Sequence, residues 1–439
     1  MARKHIYDKD WRYDFLYPIV VWCIRHSYRR VEVHGEENIP TAGAQIACPN
    51  HCNTLMDPLA MLRAYNKMTC FGARSDIFRK KIFRGPLEFI RLVPLVRQRD
   101  GLRNVLQNNQ TQEIIVEALE HDARFCLFPE GTHRTKHSLM GLAKGAMRIA
   151  LAANEKFGDK KPVYLLPVGL EYGDYFRYRS TSLVNYGKPI NVTEFLKVNE
   201  FENEAQAIDA LRKELSNEMS KLITYIPFDE NYDGKWALTK MCAIADSRNA
   251  YGDGCKKLYS YLVKNREIVQ NIEDKLSEKP EKTLEILERS AKFEVKRRKA
   301  GISIFSFRKN NNVLATVFNA FTAILGIPYF IFSAITTLPM WALEMKIRNG
   351  AKDPAFRNTG SFGVKLGIGL ILFPIYAILA FCLAPWWLAL VLLLLWIPSY
   401  SFVHDYIEEA RRWTSDIKLM FNKKLRKEFK SIIKDFNRL

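Results

Sequence analysis

Two long stretches without a single charged residue, 313–343 and 366–403, constrain this chain more than any other feature. A helix needs about 20 apolar residues to cross a bilayer. The second stretch is therefore long enough for two spans, and Ala384-Pro385 divides it into 366–383 and 386–403. Its near-uniform apolarity, with Trp386, Trp387 and Trp396, speaks against a buried helix of a water-soluble core. The first stretch carries Gly326-Ile327-Pro328 near its middle and Pro339 near its end. It forms either one long kinked span or a re-entrant hairpin. Arg308-Lys309, Lys346, Arg348, Lys352, Arg357, Lys365, Arg411 and Arg412 flank these stretches and are all basic. The positive-inside rule places every such flank in the cytoplasm, which favours a re-entrant 313–343 followed by a two-span hairpin.

The chain as a whole carries 66 Lys+Arg against 47 Asp+Glu, a net charge of +19. Such a surplus points to an anionic partner: nucleic acid, an anionic membrane surface or a phosphorylated substrate. Nucleic acid is disfavoured, because the aromatics crowd into bilayer-length runs instead of interleaving with basic residues on a soluble surface. The eight cysteines are scattered and form no Cys-x-x-Cys pair, so neither a zinc site nor a disulfide framework is indicated, and a reducing compartment fits. Residues 1–30 predict an N-terminal helix. Its apolar run Phe15 to Ile24 is too short to span, and Trp11, Tyr13, Tyr17 and Trp22 precede Arg25, Arg29 and Arg30. It rests on a membrane interface or is buried in a soluble domain. Residues 226–310 read as a charged helical extension. The tail, 406–439, places Ile417, Met420, Phe421, Leu425, Phe429, Ile432 and Phe436 at helical spacing among lysines and arginines. This basic amphipathic helix lies on anionic lipid or packs on the protein.

Between these regions, residues 31–225 alternate short apolar runs with helical patterns, which predicts an α/β domain. Four of the apolar runs end in residues suited to chemistry. Gln45 to Cys48 is followed by Pro49-Asn50-His51-Cys52-Asn53-Thr54-Leu55-Met56-Asp57-Pro58. A histidine thus stands where a strand gives way to a helix, at the sheet edge where α/β proteins bind ligands. A carboxylate follows six positions later, and a His–Asp pair is the usual general base for an alcohol. Asp57-Pro58 is equally a strong helix start, with Asp57 as N-cap. Leu92 to Val96 runs into Arg97-Gln98-Arg99, which suits a phosphate or a solvated turn. Phe125 to Phe128 runs into Pro129-Glu130-Gly131-Thr132-His133-Arg134, a tight turn that brings backbone amides, Thr132 and Arg134 to the same edge. Lys144-Gly145 opens another helix, and Val163 to Gly169 forms a further buried strand.

In this order, Asn50-His51 with Asp57, Leu92 to Arg97, Phe128 to Arg134 and Leu165-Leu166-Pro167-Val168 resemble the four motifs of the glycerolipid acyltransferase superfamily. That superfamily includes 1-acylglycerol-3-phosphate and glycerol-3-phosphate acyltransferases. Two departures stand out. Five residues, where the family has four, separate His51 from Asp57; and His133 occupies the usual arginine position, with Arg134 after it. Either of that last pair can face the substrate. The resemblance implies a mixed sheet flanked by helices, followed by the helical extension and C-terminal transmembrane helices. It implies transfer of a fatty acyl group from a thioester, acyl-CoA or acyl-acyl carrier protein, to a glycerol hydroxyl. His51 would deprotonate the hydroxyl and Asp57 would orient His51. Arg97, Glu130, Gly131, Thr132 and Arg134 would hold the acceptor's phosphate and polyol, with Glu130 on a hydroxyl or on an arginine. Arg74, Arg99 and Lys144 are further candidates for the acceptor phosphate or the donor. No metal or redox cofactor is implied, and no Gly-x-Ser-x-Gly nucleophile elbow is present. The expected acceptor is the lysophospholipid 1-acylglycerol-3-phosphate, because the C-terminal spans suit a membrane-resident substrate. Glycerol phosphate is the alternative acceptor, and a non-catalytic membrane scaffold is the rival class. The enzyme is expected in a membrane, with its catalytic domain on the cytoplasmic face.

Overall fold

The computed structural model describes residues 5–65, 68–78, 81–95, 105–245, 257–309, 311 and 313–439. Its chain divides into two compact units. The first comprises Met1–Ile24, Val33–Glu171 and Leu183–Ile223; the second comprises Arg25–Glu32, Tyr172–Ser182 and Thr224–Leu439.

The first unit is built on α1 (Trp11–Ser27), β1 (Tyr28–His34), β2 (Ala44–Pro49), α2 (Met56–Ala64), β3 (Cys70–Arg74), α3 (Lys81–Phe89), β4 (Leu92–Leu95) and α4 (Val105–Glu120). It continues through β5 (Phe125–Cys126), α5 (Gly145–Phe157), β6 (Val163–Tyr172), β7 (Ser180–Tyr186), β8 (Ile190–Asn191), α6 (Val192–Val198) and α7 (Glu204–Ser220). The strand order is β1-β7-β6-β2-β5-β3-β4, with β8 beside β6. β2 runs parallel to both β5 and β6, and β3 runs parallel to β5 and β4, whereas β8 is antiparallel to β6. The sheet is therefore mixed and flanked by helices, as the sequence implies. Every residue of β2 is buried, which is why this strand reads as an unbroken apolar run with no alternation. Ile46, Phe125 and Leu165 pack there against Leu119 of α4 and Met147 of α5. Because β2, β3, β4, β5 and β6 share one direction, their carboxyl ends lie along one edge. That edge receives the segments after Pro49, Arg74, Leu95 and Cys126.

The second unit is helical: α8 (Tyr232–Ala245), α9 (Leu258–Glu278), α10 (Pro280–Lys299), α11 (Val313–Thr336), α12 (Leu338–Gly350), α13 (Phe356–Leu383), α14 (Trp386–Phe421) and α15 (Lys423–Arg438). Three helices are long and apolar enough to cross a membrane: Thr316–Thr336, Phe356–Leu383 and Trp386–Phe421. The chain breaks at Ala384-Pro385, as expected, but α14 does not stop at 403; it continues to Phe421. α11 lies antiparallel along α14. Trp413 donates to the Thr316 carbonyl at 3.1 Å, Tyr406 to that of Ala323 at 2.8 Å, and Tyr329 to that of Leu395 at 2.7 Å. The chain then turns at Thr337, and α12 runs back. Its Glu344, wholly buried, accepts from Ser361 of α13 and Tyr400 of α14, each at 2.7 Å, and faces His404 at 3.0 Å. Residues 313–343 thus enter and return, the re-entrant alternative. A carboxylate this deep among apolar helices persists only because it is fully hydrogen-bonded.

The tail differs from the lipid-bound expectation. The apolar face of α15 (Leu425, Phe429, Ile432 and Phe436) is buried in a core with Leu238, Phe293 and Phe307. Phe429 stacks on Phe307 with ring centroids 4.5 Å apart. The stripe was legible; its partner is protein. A charged lattice joins α14 to the two short segments that belong to this unit. Asp405 accepts from Arg29 at 3.0 Å and from Arg179 at 2.8 Å, Arg29 also reaches Glu409 at 3.0 Å, and Arg177 pairs with Glu408.

Candidate active site

His51 follows β2 directly, and Asp57 lies in the first turn of α2. The helix begins at Met56 after Leu55, so Asp57 is not its N-cap. Its carboxylate instead gathers the loop. Oδ2 accepts from His51 Nδ1 at 2.7 Å, from the Cys52 amide at 2.8 Å and from the Asn53 amide at 2.7 Å. Asp57 is fully buried while the His51 side chain is 19% exposed. The five-residue spacing is absorbed by a tight turn in which Thr54 takes a left-handed φ of 44° and the Met56 amide bonds the Asn53 carbonyl. The expected histidine–aspartate contact is therefore made. With Nδ1 held by the carboxylate, Nε2 is the nitrogen available to exchange a proton.

The turn after β5 is laced to this loop. The Glu130 carboxylate accepts from the His51 amide at 2.7 Å and from the Met140 amide at 2.9 Å. Burial pushes its carboxyl pKa up, against those two backbone hydrogen bonds and the positive influence of His51. Both oxygens hold loops together, so Glu130 acts as a brace and does not engage an acceptor hydroxyl. The Arg134 amide donates to the His51 carbonyl at 3.0 Å, and Thr135 Oγ1 donates to the Cys52 carbonyl at 3.2 Å. The Arg134 guanidinium turns into its own loop, where Nη2 donates to Ser138 Oγ and to the Leu139 carbonyl, both at 3.1 Å. His133 presents its ring edge-on to His51, centroids 5.7 Å apart and planes at 68°. Phe128 lies 4.5 Å from the His51 ring. Gly131 has φ 67° and open space where a side chain would project; Thr132 is exposed beside it.

Arg74, at the end of β3, pairs with Asp76 at 3.0 Å, and Lys144 pairs with Asp209 of α7 at 3.2 Å. Neither is brought into contact with the His51 loop. Arg97 and Arg99 lie outside the described residues. Cys52 is buried, and burial, reinforced by Asp57, Glu171 and Glu130, drives its pKa far up; it stays a thiol and is no nucleophile. Two residues outside the expected set also shape the site. Asn50 clamps β6 from both sides: its Oδ1 accepts from the Leu170 amide at 2.6 Å and its Nδ2 donates to the Leu170 carbonyl at 3.2 Å. His137 faces Glu171 at 3.3 Å, both nearly buried. Asn50 stood beside His51 in the sequence; nothing local tied His137 to a strand 34 residues on.

A histidine–aspartate pair at the carboxyl edge of a mixed sheet, braced by a Pro-Glu-Gly turn, defines an acyltransferase domain of the glycerolipid acyltransferase superfamily. Residues 30–171 match the family model described as Acyltransferase, and the chain carries that domain. Over 107 residues it is 32% identical to glycerol-3-phosphate O-acyltransferase 1 of Saccharomyces cerevisiae (strain ATCC 204508 / S288c), covering 24% of this chain. The match spans only 14% of that protein's length. Among solved structures, the 1-acyl-sn-glycerophosphate (LPA) acyltransferase PlsC from Thermotoga maritima aligns with a TM-score of 0.35 and 18% identity, over 49% of this chain and 83% of that one.

Proposed function

We propose that this chain is a membrane-bound O-acyltransferase that moves a fatty acyl group from a thioester donor to a hydroxyl of 1-acylglycerol-3-phosphate. The carrying observation is the 2.7 Å contact between His51 Nδ1 and Asp57 Oδ2 at the sheet edge. The hydroxyl gives its proton to His51 Nε2 as its oxygen attacks the thioester carbonyl. The tetrahedral intermediate collapses, the carbon–sulfur bond breaks, and the proton passes from His51 to the departing thiolate. No covalent acyl-enzyme forms, because a thioester already has a good leaving group and positioning is the main demand. Asp57 stabilises the transient imidazolium. The apolar helices support a membrane-resident acceptor, and their basic flanks support a cytoplasmic catalytic domain. The resemblance to the yeast glycerol-3-phosphate acyltransferase supports a second reading, in which glycerol-3-phosphate is the acceptor and lysophosphatidic acid the product.

The test is full-length protein in detergent, supplied with each acceptor and with acyl-CoA or acyl-acyl carrier protein, the products being separated by mass. Ester formation that disappears in His51→Ala is expected. Equal turnover by that variant would end the proposal.

A further inference from the structure

We infer that His133, and not Arg134, is the residue of the Pro-Glu-Gly turn that receives the phosphate of the acceptor. This deepens the proposed acyl transfer and rests on it. The two side chains are adjacent but differently employed. Arg134 is a structural brace: its amide is bound to the His51 carbonyl, and its guanidinium donates to Ser138 Oγ and the Leu139 carbonyl four and five residues on. A phosphate reaching that guanidinium would have to displace contacts that keep the turn folded. Glu130 is excluded by charge and by its two amide partners. His133 stands on the side of the turn that meets the catalytic ring, edge-on at 5.7 Å, and is partly exposed.

The spacing matches the acceptor. In a glycerol phosphate ester four or five bonds separate the phosphorus from a free hydroxyl oxygen, roughly 4–6 Å by ordinary bond lengths. A hydroxyl on His51 Nε2 therefore leaves the phosphate beside an imidazole one ring-to-ring distance away. Imidazole nitrogens donate to phosphate oxygens either protonated or neutral. Glycerol-3-phosphate and 1-acylglycerol-3-phosphate share this phosphate monoester, so the assignment holds for both.

Steady-state kinetics on full-length protein test it, with acceptor and donor varied separately. His133→Ala is expected to raise the acceptor KM about 10- to 100-fold, the range for a lost hydrogen bond to a charged group, with donor KM unchanged. His133→Arg should restore the acceptor KM to within a few-fold. Monoacylglycerol, which lacks the phosphate, should be used equally by wild type and His133→Ala. Arg134→Gln should lower the melting temperature without a selective effect on acceptor KM. The inference is overturned by an unchanged acceptor KM in His133→Ala, by an equal defect with monoacylglycerol, or by a selective acceptor defect in Arg134→Gln with its melting temperature intact. His51→Ala separates the two levels. If it turns over like wild type, the acyl-transfer reading itself is lost; if it is inactive while His133→Ala is normal, only the phosphate assignment fails.

Discussion

Replacing Asp57 by asparagine isolates charge from shape. The amide oxygen can occupy the place of Oδ2 and still accept from His51 Nδ1 and from the Cys52 and Asn53 amides, now at 2.7–2.8 Å. The loop then survives, weakened by about 1–3 kcal/mol as charge-assisted bonds become neutral ones. The chemical step loses more. When His51 takes a proton, the new imidazolium no longer faces a carboxylate. Two unit charges about 4 Å apart attract by roughly 4 kcal/mol at an effective dielectric of about 20, and each 1.36 kcal/mol is tenfold in rate (about 10³-fold overall). Asp57→Asn should therefore lower kcat about 10²- to 10³-fold and melt only a few degrees below wild type. Asp57→Ala should fold poorly, because it leaves the buried amides of Cys52 and Asn53 without an acceptor, at about 1–3 kcal/mol each. Acceptor-dependent thiol release, measured beside a thermal melt, reads both quantities. A kcat within threefold of wild type in folded Asp57→Asn would refute the orienting and charge-stabilising role.

Two further outcomes are expected. Glu130→Gln removes one of two acceptors and sets an amide NH₂ against a backbone N–H, so it should cost about 1–3 kcal/mol and lower activity through the His51 loop. The folded pKa of Glu130 is raised by burial, so its favourable contribution is complete below its ordinary value of 4.5 and is lost as pH rises through the raised value. The variant should show a shallower fall in stability over that interval, and an unchanged pH profile would count against the buried carboxylate. Asp405→Ala strips a carboxylate from both Arg29 and Arg179 and should destabilise the second unit by about 3–5 kcal/mol, whereas Glu409→Gln, at a half-exposed partner, should cost about 0–1 kcal/mol. Comparable melting temperatures for the two variants would overturn this ranking.

The parts of the fold that were legible are those written locally. The buried run before His51, the break at Ala384-Pro385 and the order of the four strand ends all survive in three dimensions. The roles that were not legible depend on partners distant in sequence. Glu130 looks like a ligand until its oxygens are found on the amides of His51 and Met140. Asp57 looks like a helix cap until its carboxylate is found on the loop before the helix. The stripe of α15 has one signature whether it meets lipid or protein, because both offer apolar surface; only the aromatic core around Phe293 and Phe307 decides. Likewise, Gly326 and the prolines of 313–343 permit a turn, but the partnership of Glu344 with Ser361 and Tyr400 fixes where the chain returns.

The two departures from the family pattern fall on opposite sides of one hydrogen-bonded seam, and that seam explains why the chain tolerates both. The His51 amide is tied to Glu130, its carbonyl to the Arg134 amide, and the Cys52 carbonyl to Thr135. Register is thus fixed at residues 51 and 52, ahead of the added residue in the first loop. The extra length is taken up beyond the seam, at Thr54, and Asp57 still returns to the ring. On the other loop, residues 130 and 134 are both pinned to His51, so the three residues between them must bulge past the catalytic ring. A histidine in the last of those positions is held beside it by the backbone, whatever its side chain contributes. An arginine one place later is committed to the seam. The shift of a single position in the sequence therefore exchanges which side chain the turn presents and which it consumes as a brace.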